Sequence, residues 1–311
     1  MEILNGIINI NKPKDMTSHD VVNIVRKKLG IKRVGHTGTL DPMATGVLPI
    51  CFGKATRIIE YLDYDIKSYN CEMALGILTD TLDITGEVLE KNSYSGVTKE
   101  MVIKAFGAFN GEIIQVPPKY SALKVDGRRL YDYARKGEDV EIKGRKTYIY
   151  SIEINNIDLS EGIINFDVSC SKGTYIRSIC RDIGEILGCQ GTMTKLARTA
   201  TGAFKISDAM ELDYFINSDI KELEEAIKPM DYPLDKLGKC VMEKEYAKRF
   251  INGQRIPLRN VVKIKNTDKI DKYAIYADQI KSDNFLGVAI YENDRFCYKA
   301  EKVVGEINEN I

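Results

Sequence analysis

The sequence predicts an α+β chain, with a central mixed, mainly antiparallel sheet flanked by helices and a small C-terminal β-barrel. Three observations carry this. Segments alternating with period two are interleaved with segments of three-to-four periodicity, without the regular βαβ rhythm of a parallel sheet. The 311 residues are 44% hydrophobic and 29% charged, a composition that is neither disordered nor fibrous and that suffices for one large domain or two. Beyond residue 239, segments such as 273–277 and 285–291 are short and β-like, as a barrel of about seventy residues requires.

Taken in order, residues 6–11 read as a buried strand ended by Lys12 and Pro13. Ser18 is placed to cap a helix whose Val21, Val22, Val25 and Leu29 share one face and whose stop is Gly30. Residues 35–49 contain three glycines and two prolines, which argues against a regular helix or a central strand and for a shaped loop. Residues 54–62 suit a short helix. Tyr69, Cys71, Met73 and Leu75 alternate with polar neighbours, as in a half-buried strand. Thr98 opens a helix with Met101, Val102, Ala105, Phe106 and Phe109 on one face, closed by Asn110 and Gly111. Ile164, Phe166, Val168 and Cys170 form another alternating strand. Thr174 is placed to cap a helix through Ile176, Ile179, Ile183 and Leu187, closed by Gly188. Segment 207–235 holds nine acids against two lysines and is the best place for a domain boundary. The expected domains are 1–232 and 236–305.

Formal net charge is zero, but its distribution is uneven. Residues 119–146 carry nine basic groups against five acidic, and residues 239–272 carry ten against four. Such patches can hold a phosphate backbone locally, or be solvated helix surface. No apolar run is long enough to span a bilayer, and the N-terminus lacks the features of a secretory signal, so a cytoplasmic protein without membrane association is expected. The seven cysteines have no C-x-x-C spacing. They read as reduced thiols and not as zinc ligands; Cys51, Cys170 and Cys180 lie in apolar surroundings.

Chemistry is concentrated in a few places. Asp41 is the single acid in the glycine-rich run, and Pro42 keeps it out of helical geometry. One fixed acid on such a loop suits covalent or proton-transfer chemistry better than metal binding. Tyr69 is either a core aromatic or a platform for an unstacked base. Arg177 lies off the apolar stripe of its helix, as an ion-pairing arginine would. His36 sits between small residues in the loop. Residues 79–87 hold Asp80, Asp83 and Glu87, at spacing that does not suit calcium. Residues 120–135 mix aromatic and basic side chains, which suits either the grip on an RNA loop or a plain amphipathic helix.

Residues 35–49 closely resemble the GHxGxLDPxAxG motif of the pseudouridine synthases that act on the T loop of tRNA. The string KGTYIR at 172–177, the TDTxDxxG stretch at 79–86 and Lys12-Pro13 match further motifs of that family. The resemblance covers roughly residues 1–205; the tail from about residue 239 resembles a PUA barrel more loosely. It implies the pseudouridine synthase fold, with a catalytic domain over 1–232, a mobile thumb at about 119–146 and a PUA-like RNA-binding domain over 236–305. It implies that Asp41 is catalytic, that Tyr69 stacks on the target uracil and moves a proton, and that Arg177 keeps Asp41 ionised and oriented. It makes Tyr175 and Leu196 walls of the uridine pocket and lets His36 fill space left by extruded nucleotides. Lys12 then lies near the active site, and Asp80 lies on the RNA face without metal. The implied reaction isomerises uridine-55 in the T stem-loop of tRNA. The base flips out, its N1–C1′ bond breaks, and the uracil turns and rejoins through C5. Attack at C1′, addition to the base and a glycal route all remain open. Because the reaction adds nothing and changes no oxidation state, no cofactor and no metal are expected. Neither is a guide RNA, since the extensions of the guide-dependent relatives are missing, and a monomer is expected. Two other classes stay open. A glycoside or nucleoside hydrolase would need a second carboxylate, such as Asp80, beside Asp41. An RNA-binding or tRNA-folding protein with secondary catalysis would keep its RNA binding in Asp41→Asn.

Overall fold

The computed structural model describes residues 5–62, 66–265 and 271–307. Its main sheet has ten strands. The path runs Met210–Glu211, Gly6–Lys12, Thr45–Phe52, Gly191–Thr201, Lys67–Leu75, Ile163–Cys170, Arg145–Asp158, Gly111–Gln115, with Val34–His36 and Phe204–Lys205 as side branches. Only Gly6–Lys12 with Met210–Glu211 and Thr45–Phe52 with Gly191–Thr201 pair in parallel among the described residues. The sheet is therefore mixed and mainly antiparallel, as expected.

Helix Ile176–Ile186 and helix Lys99–Gly107 cover one half of the sheet. Their Ile179, Ile183, Val102 and Phe106 pack on Cys71, Met73 and Phe166, with Phe106 edge-on to Phe166 at 5.0 Å. Met101, expected on the buried face, is 41% exposed, because the helix is short and only its inner edge reaches the sheet. Over the other half, Val21, Val22 and Val25 of helix Ser18–Leu29 pack on Ile8, Ile10, Leu48 and Ile50. Leu212, Phe215 and Leu223 complete that core. They come from the acidic segment, which is therefore part of the first core and not a linker: its acids face out while its apolar residues are buried.

Other details also differ from the sequence reading. Residues 45–52 form a strand inside the sheet despite Gly46 and Pro49. Gly46 has φ +104°, and a Cβ there would lie 2.3 Å from the Arg198 carbonyl oxygen, so only glycine permits that approach. Pro49 fits because its carbonyl accepts from the Thr37 N–H; its nitrogen thus points to the loop side, away from the ladder with Gly6–Lys12. His36 ends a short strand instead of lying within the loop. Thr17, not Ser18, caps the first helix, in a capping box with Asp20. Thr174 does not cap its helix: its hydroxyl donates to the Ser171 carbonyl at 2.8 Å, and Tyr175 occupies the cap position.

The second sheet has six strands, ordered Ile256–Pro257, Cys297–Val303, Phe285–Glu292, Lys272–Ala277, Gly238–Met242, Val262–Lys265. Its first and last strands do not pair among the described residues, so the sheet is open at that seam. A shared core joins it to the main sheet, with Ile7, Val47 and Ile58 packed among Leu234, Tyr276 and Val288. Two ion pairs, Lys302–Glu60 at 2.7 Å and Lys54–Glu306, cross the same boundary. All seven cysteines are free and buried. No helix among the described residues is long and apolar enough to cross a membrane.

Candidate active site

Between strands Val34–His36 and Thr45–Phe52 the chain makes the loop that carries Asp41, and buried polar groups fix its backbone from three sides. The Ser18 hydroxyl donates to the Leu40 carbonyl at 3.1 Å and accepts from the Leu40 N–H at 2.8 Å. Lys12, fully buried, donates its ammonium to the carbonyls of Pro13 (2.8 Å), Met16 (2.6 Å) and Pro42 (3.1 Å). Arg198, 1% exposed, donates to Val47 O at 2.7 Å and Gly38 O at 3.1 Å. The residues on both sides of Asp41 are thus held by donors and acceptors that water does not reach. Freed of partners, such backbone groups would each cost about 1–3 kcal/mol.

Asp41 Oδ2 lies 3.0 Å from Arg177 Nε, a close ion pair whose geometry is not that of an aligned hydrogen bond. Arg177 is itself buried and over-determined. Its Nη1 donates to Thr81 O at 2.9 Å and lies 3.3 Å from Asp83 Oδ2, and its Nη2 donates to Tyr120 O at 3.1 Å. Asp83 is buried too, and accepts from the Thr85 N–H at 3.0 Å and the Thr81 hydroxyl at 3.0 Å. One guanidinium therefore serves two carboxylates, of which only Asp41 retains substantial exposure (34% of its side chain against 6% for Asp83). Burial pushes the Asp41 carboxyl above its ordinary pKa; Arg177 opposes that push and Asp83 adds to it. The expectation that Arg177 favours the ionised form is met in sign, but burial outweighs it. A carboxylate raised in this way is a better base.

Asp41 opens onto a cavity of about 260 Å³ whose walls include Tyr69, Tyr175, Arg177 and Leu196. Tyr69 reaches it from strand Lys67–Leu75, and Leu196 from the neighbouring strand Gly191–Thr201. Tyr175 is set at the helix start by Gln115, whose amide donates to Tyr175 O and accepts from Tyr175 N. Arg198 pairs with Tyr69 across the strands and hydrogen-bonds its phenol; burial raises the Tyr69 pKa and the guanidinium draws it back down. Tyr69 is thus placed both to face a flat ring and to exchange a proton.

The structure gathers Asp41, Tyr69, Tyr175, Arg177 and Leu196 around one cavity. It does not bring the other expected residues there. Lys12 lies beneath the loop, its ammonium committed to backbone carbonyls, and burial lowers its pKa to about 8. His36 lines an adjoining groove of about 760 Å³ with Arg57 and Lys302, and burial lowers its pKa. Asp80 accepts from the Glu87 N–H at 2.8 Å and lines a separate cavity with Tyr120 and Arg181. The acid nearest the centre after Asp41 is Asp83. Ser18, Asp83 and Arg198 were not singled out from the sequence. Arg198 could have been found: it lies two residues beyond Leu196 on a strand, so a charged group falls at an inward position. Asp83 and Ser18 offer no such signal beside Asp80 and Thr17. No group of residues that could hold a metal ion occurs among the described residues.

Comparison with known proteins agrees with this arrangement. Residues 26–176 match the model of the TruB family pseudouridylate synthase N-terminal domain, and residues 177–235 that of the tRNA pseudouridylate synthase B C-terminal domain. The tRNA pseudouridine synthase B of Clostridium kluyveri is 46% identical over 96% of this chain and 99% of its own length. That of Alkaliphilus oremlandii is 42% identical over 97% and 98%. Among solved structures, the Cbf5-Nop10-Gar1 complex has a chain that superposes with TM-score 0.74 at 28% identity, covering 96% of this chain and 84% of that one. With matched models spanning the Asp41 loop, the Tyr69 strand and the Arg177 helix, the chain belongs to the TruB family of pseudouridine synthases and is an isomerase.

Proposed function

We propose that the substrate is tRNA and that the enzyme converts uridine-55 of the T stem-loop to pseudouridine. The observation that carries this reading is the pairing of a single part-exposed carboxylate, Asp41, with the buried Arg177 at 3.0 Å on the wall of a cavity sized for one base. Relatives named tRNA pseudouridine synthase B, matched over nearly their full length, support the substrate class.

The target nucleotide leaves its stack and its uracil enters the cavity against Tyr69, with Leu196 and Tyr175 as walls. Asp41 acts at the sugar or the base while the N1–C1′ bond breaks. The uracil turns and C5 bonds to C1′; the proton lost from C5 is taken by a base, for which Tyr69 is placed. Atoms balance without a cofactor. Residues 1–232 form the catalytic unit, with 119–146 closing over the RNA as a thumb, and 236–305 form a PUA-like unit that adds RNA contacts. The enzyme works as a monomer without a guide RNA, which fits a chain that matches bacterial relatives end to end and leaves part of the Cbf5 chain unmatched.

The test uses tRNA transcript carrying tritium at uracil C5. Wild type should release about one tritium per tRNA, and none once the T-loop uridine is replaced; Asp41→Asn should lower the rate by about 10²–10⁴-fold or more. No release from wild type that binds the tRNA would overturn the reading. The same variant should melt no lower than wild type at neutral pH. A carboxyl whose pKa rises on folding contributes stability below its unfolded value and loses it as pH rises through the folded one, so at pH 7 its ionised form is a cost that Asn removes.

A further inference from the structure

The base cavity and the outer groove share a wall. Of the residues that line each, Thr39 and Lys67 line both. Lys67 is the only cation common to the two: Arg177 belongs to the inner cavity, while Arg57 and Lys302 belong to the groove, where Lys302 is paired with Glu60 at 2.7 Å. Lys67 lies two residues before Tyr69 on the same strand, so both side chains project from one face. It is buried, at 9% exposure, and its ammonium lies against the catalytic loop; a Cβ on Gly38 would be 3.2 Å from Lys67 Nζ.

A nucleotide whose base fills the inner cavity stays tethered to its neighbours by two phosphodiesters. Those anions cannot follow the base past Tyr69 and Leu196, and so must lie where the cavity opens into the groove. A cation at that seam, held between strand and loop, is placed to meet one of them, and phosphate contacts of this kind set register and orientation. We propose that Lys67 is a phosphodiester-binding residue that holds a phosphate flanking the flipped nucleotide. It would fix how deeply the base descends toward Asp41. This rests on the RNA substrate proposed above, and it assigns the seam as an anion subsite distinct from the base pocket.

A double-mutant cycle tests it. Full-length tRNA is assembled with a neutral methylphosphonate at the linkage 5′ to the target uridine, or at the one 3′ to it. The nucleotide preceding each replaced linkage is 2′-deoxy, and charged controls carry the same deoxy residue. Dissociation constants are measured for wild type, Lys67→Gln and Lys67→Arg. One of the two neutral linkages should weaken wild-type binding about tenfold, leave Lys67→Gln no weaker than it already is on the charged control, and weaken Lys67→Arg much as it weakens wild type. Losses that multiply in Lys67→Gln would overturn the proposal. So would a wild type indifferent to both neutral linkages, a result that needs no variant to fold. Failure of the substrate reading looks different, because wild type would then release no tritium from all-ribose tRNA.

Discussion

The Asp41 loop and the 119–146 segment are both irregular chain beside the same cavity, yet they are held in opposite ways. The loop is fixed from beneath by Lys12, Ser18 and Arg198, each buried and each bonded to backbone. The 119–146 segment is two short strands, Lys124–Val125 and Arg128–Arg129, and the six-residue helix Leu130–Arg135, of which only Leu130 is buried. Surface pairs hold it together: Lys119 with Asp139 at 3.0 Å, Arg128 with Glu138 at 2.9 Å, and Arg128 over the Tyr133 ring at 4.1 Å. Exposed ion pairs are worth about 0–1 kcal/mol, whereas an unsatisfied buried carbonyl costs about 1–3. The difference separates two tasks. Chemistry needs Asp41 in one place, so its backbone is over-determined; a segment that must admit and then cover a large substrate belongs to the weakly held end of the molecule.

Arg198 offers the sharpest way to break this contrast. Arg198→Met removes donors from Val47 O, Gly38 O and the Tyr69 phenol at once, in a region that water cannot enter to replace them. The expected loss is about 2–4 kcal/mol of stability in urea unfolding, with single-turnover rate lower by about 10²-fold because Tyr69 and the loop both shift. Lysine should not rescue it, since one ammonium cannot span the two carbonyls that the guanidinium fork reaches. A stable, active Arg198→Met would mean that the loop is held by other groups. Ser18→Ala is milder, removing one partner from each backbone group of Leu40. It should cost about 1–3 kcal/mol and lower kcat with little change in KM, because the RNA surface is untouched.

Lys12 sharpens the contrast through pH. Its pKa is lowered by burial from 10.5 to about 8. Between those values the unfolded chain binds more protons at this group than the folded one, so its own contribution to stability rises with pH. Function should move the other way: as the ammonium deprotonates above about pH 8, it has too few hydrogens for three carbonyls, and Pro42, next to Asp41, is among those released. The rate should fall above pH 8 while the melting temperature shows no matching fall assignable to Lys12. In Lys12→Met, slower throughout, the alkaline limb should be missing.

Much of this was legible in the sequence because periodicity reports burial. The strands through Tyr69 and Phe166 and the helix through Ile179 follow from alternating and three-to-four spacing, and the GHxGxLDPxAxG and KGTYIR strings brought Asp41, Tyr175 and Arg177 into one site. What was not legible depends on long-range contact. Pro49 reads locally as a strand breaker and is tolerated only because its edge faces Thr37. Ser18 reads as a cap, since nothing local reveals that its hydroxyl serves Leu40, 22 residues away. Lys12 matches a motif near the active site, yet the match cannot say whether an ammonium faces ligand or backbone. The acidic segment misleads for a similar reason, as composition averages over helices whose inner faces carry Leu212, Phe215 and Leu223.

The smallest expected effect on stability belongs to the 119–146 segment, and it tests the contrast from its other side. Replacing both Lys119 and Arg128 with alanine removes two exposed ion pairs and should change unfolding free energy by no more than about 1 kcal/mol. Their loss should still weaken RNA binding, and flatten its salt dependence by about one to two charges' worth of slope. Amide exchange separates the two regions directly. Without RNA, the amides of 124–129 should exchange much faster than those of 47–51, which sit in the main sheet. Added tRNA should slow the first group and leave the second unchanged. Equal protection of both groups in the free enzyme would show that the segment is as firmly built as the loop, and closure over substrate would then have to come from elsewhere in the fold.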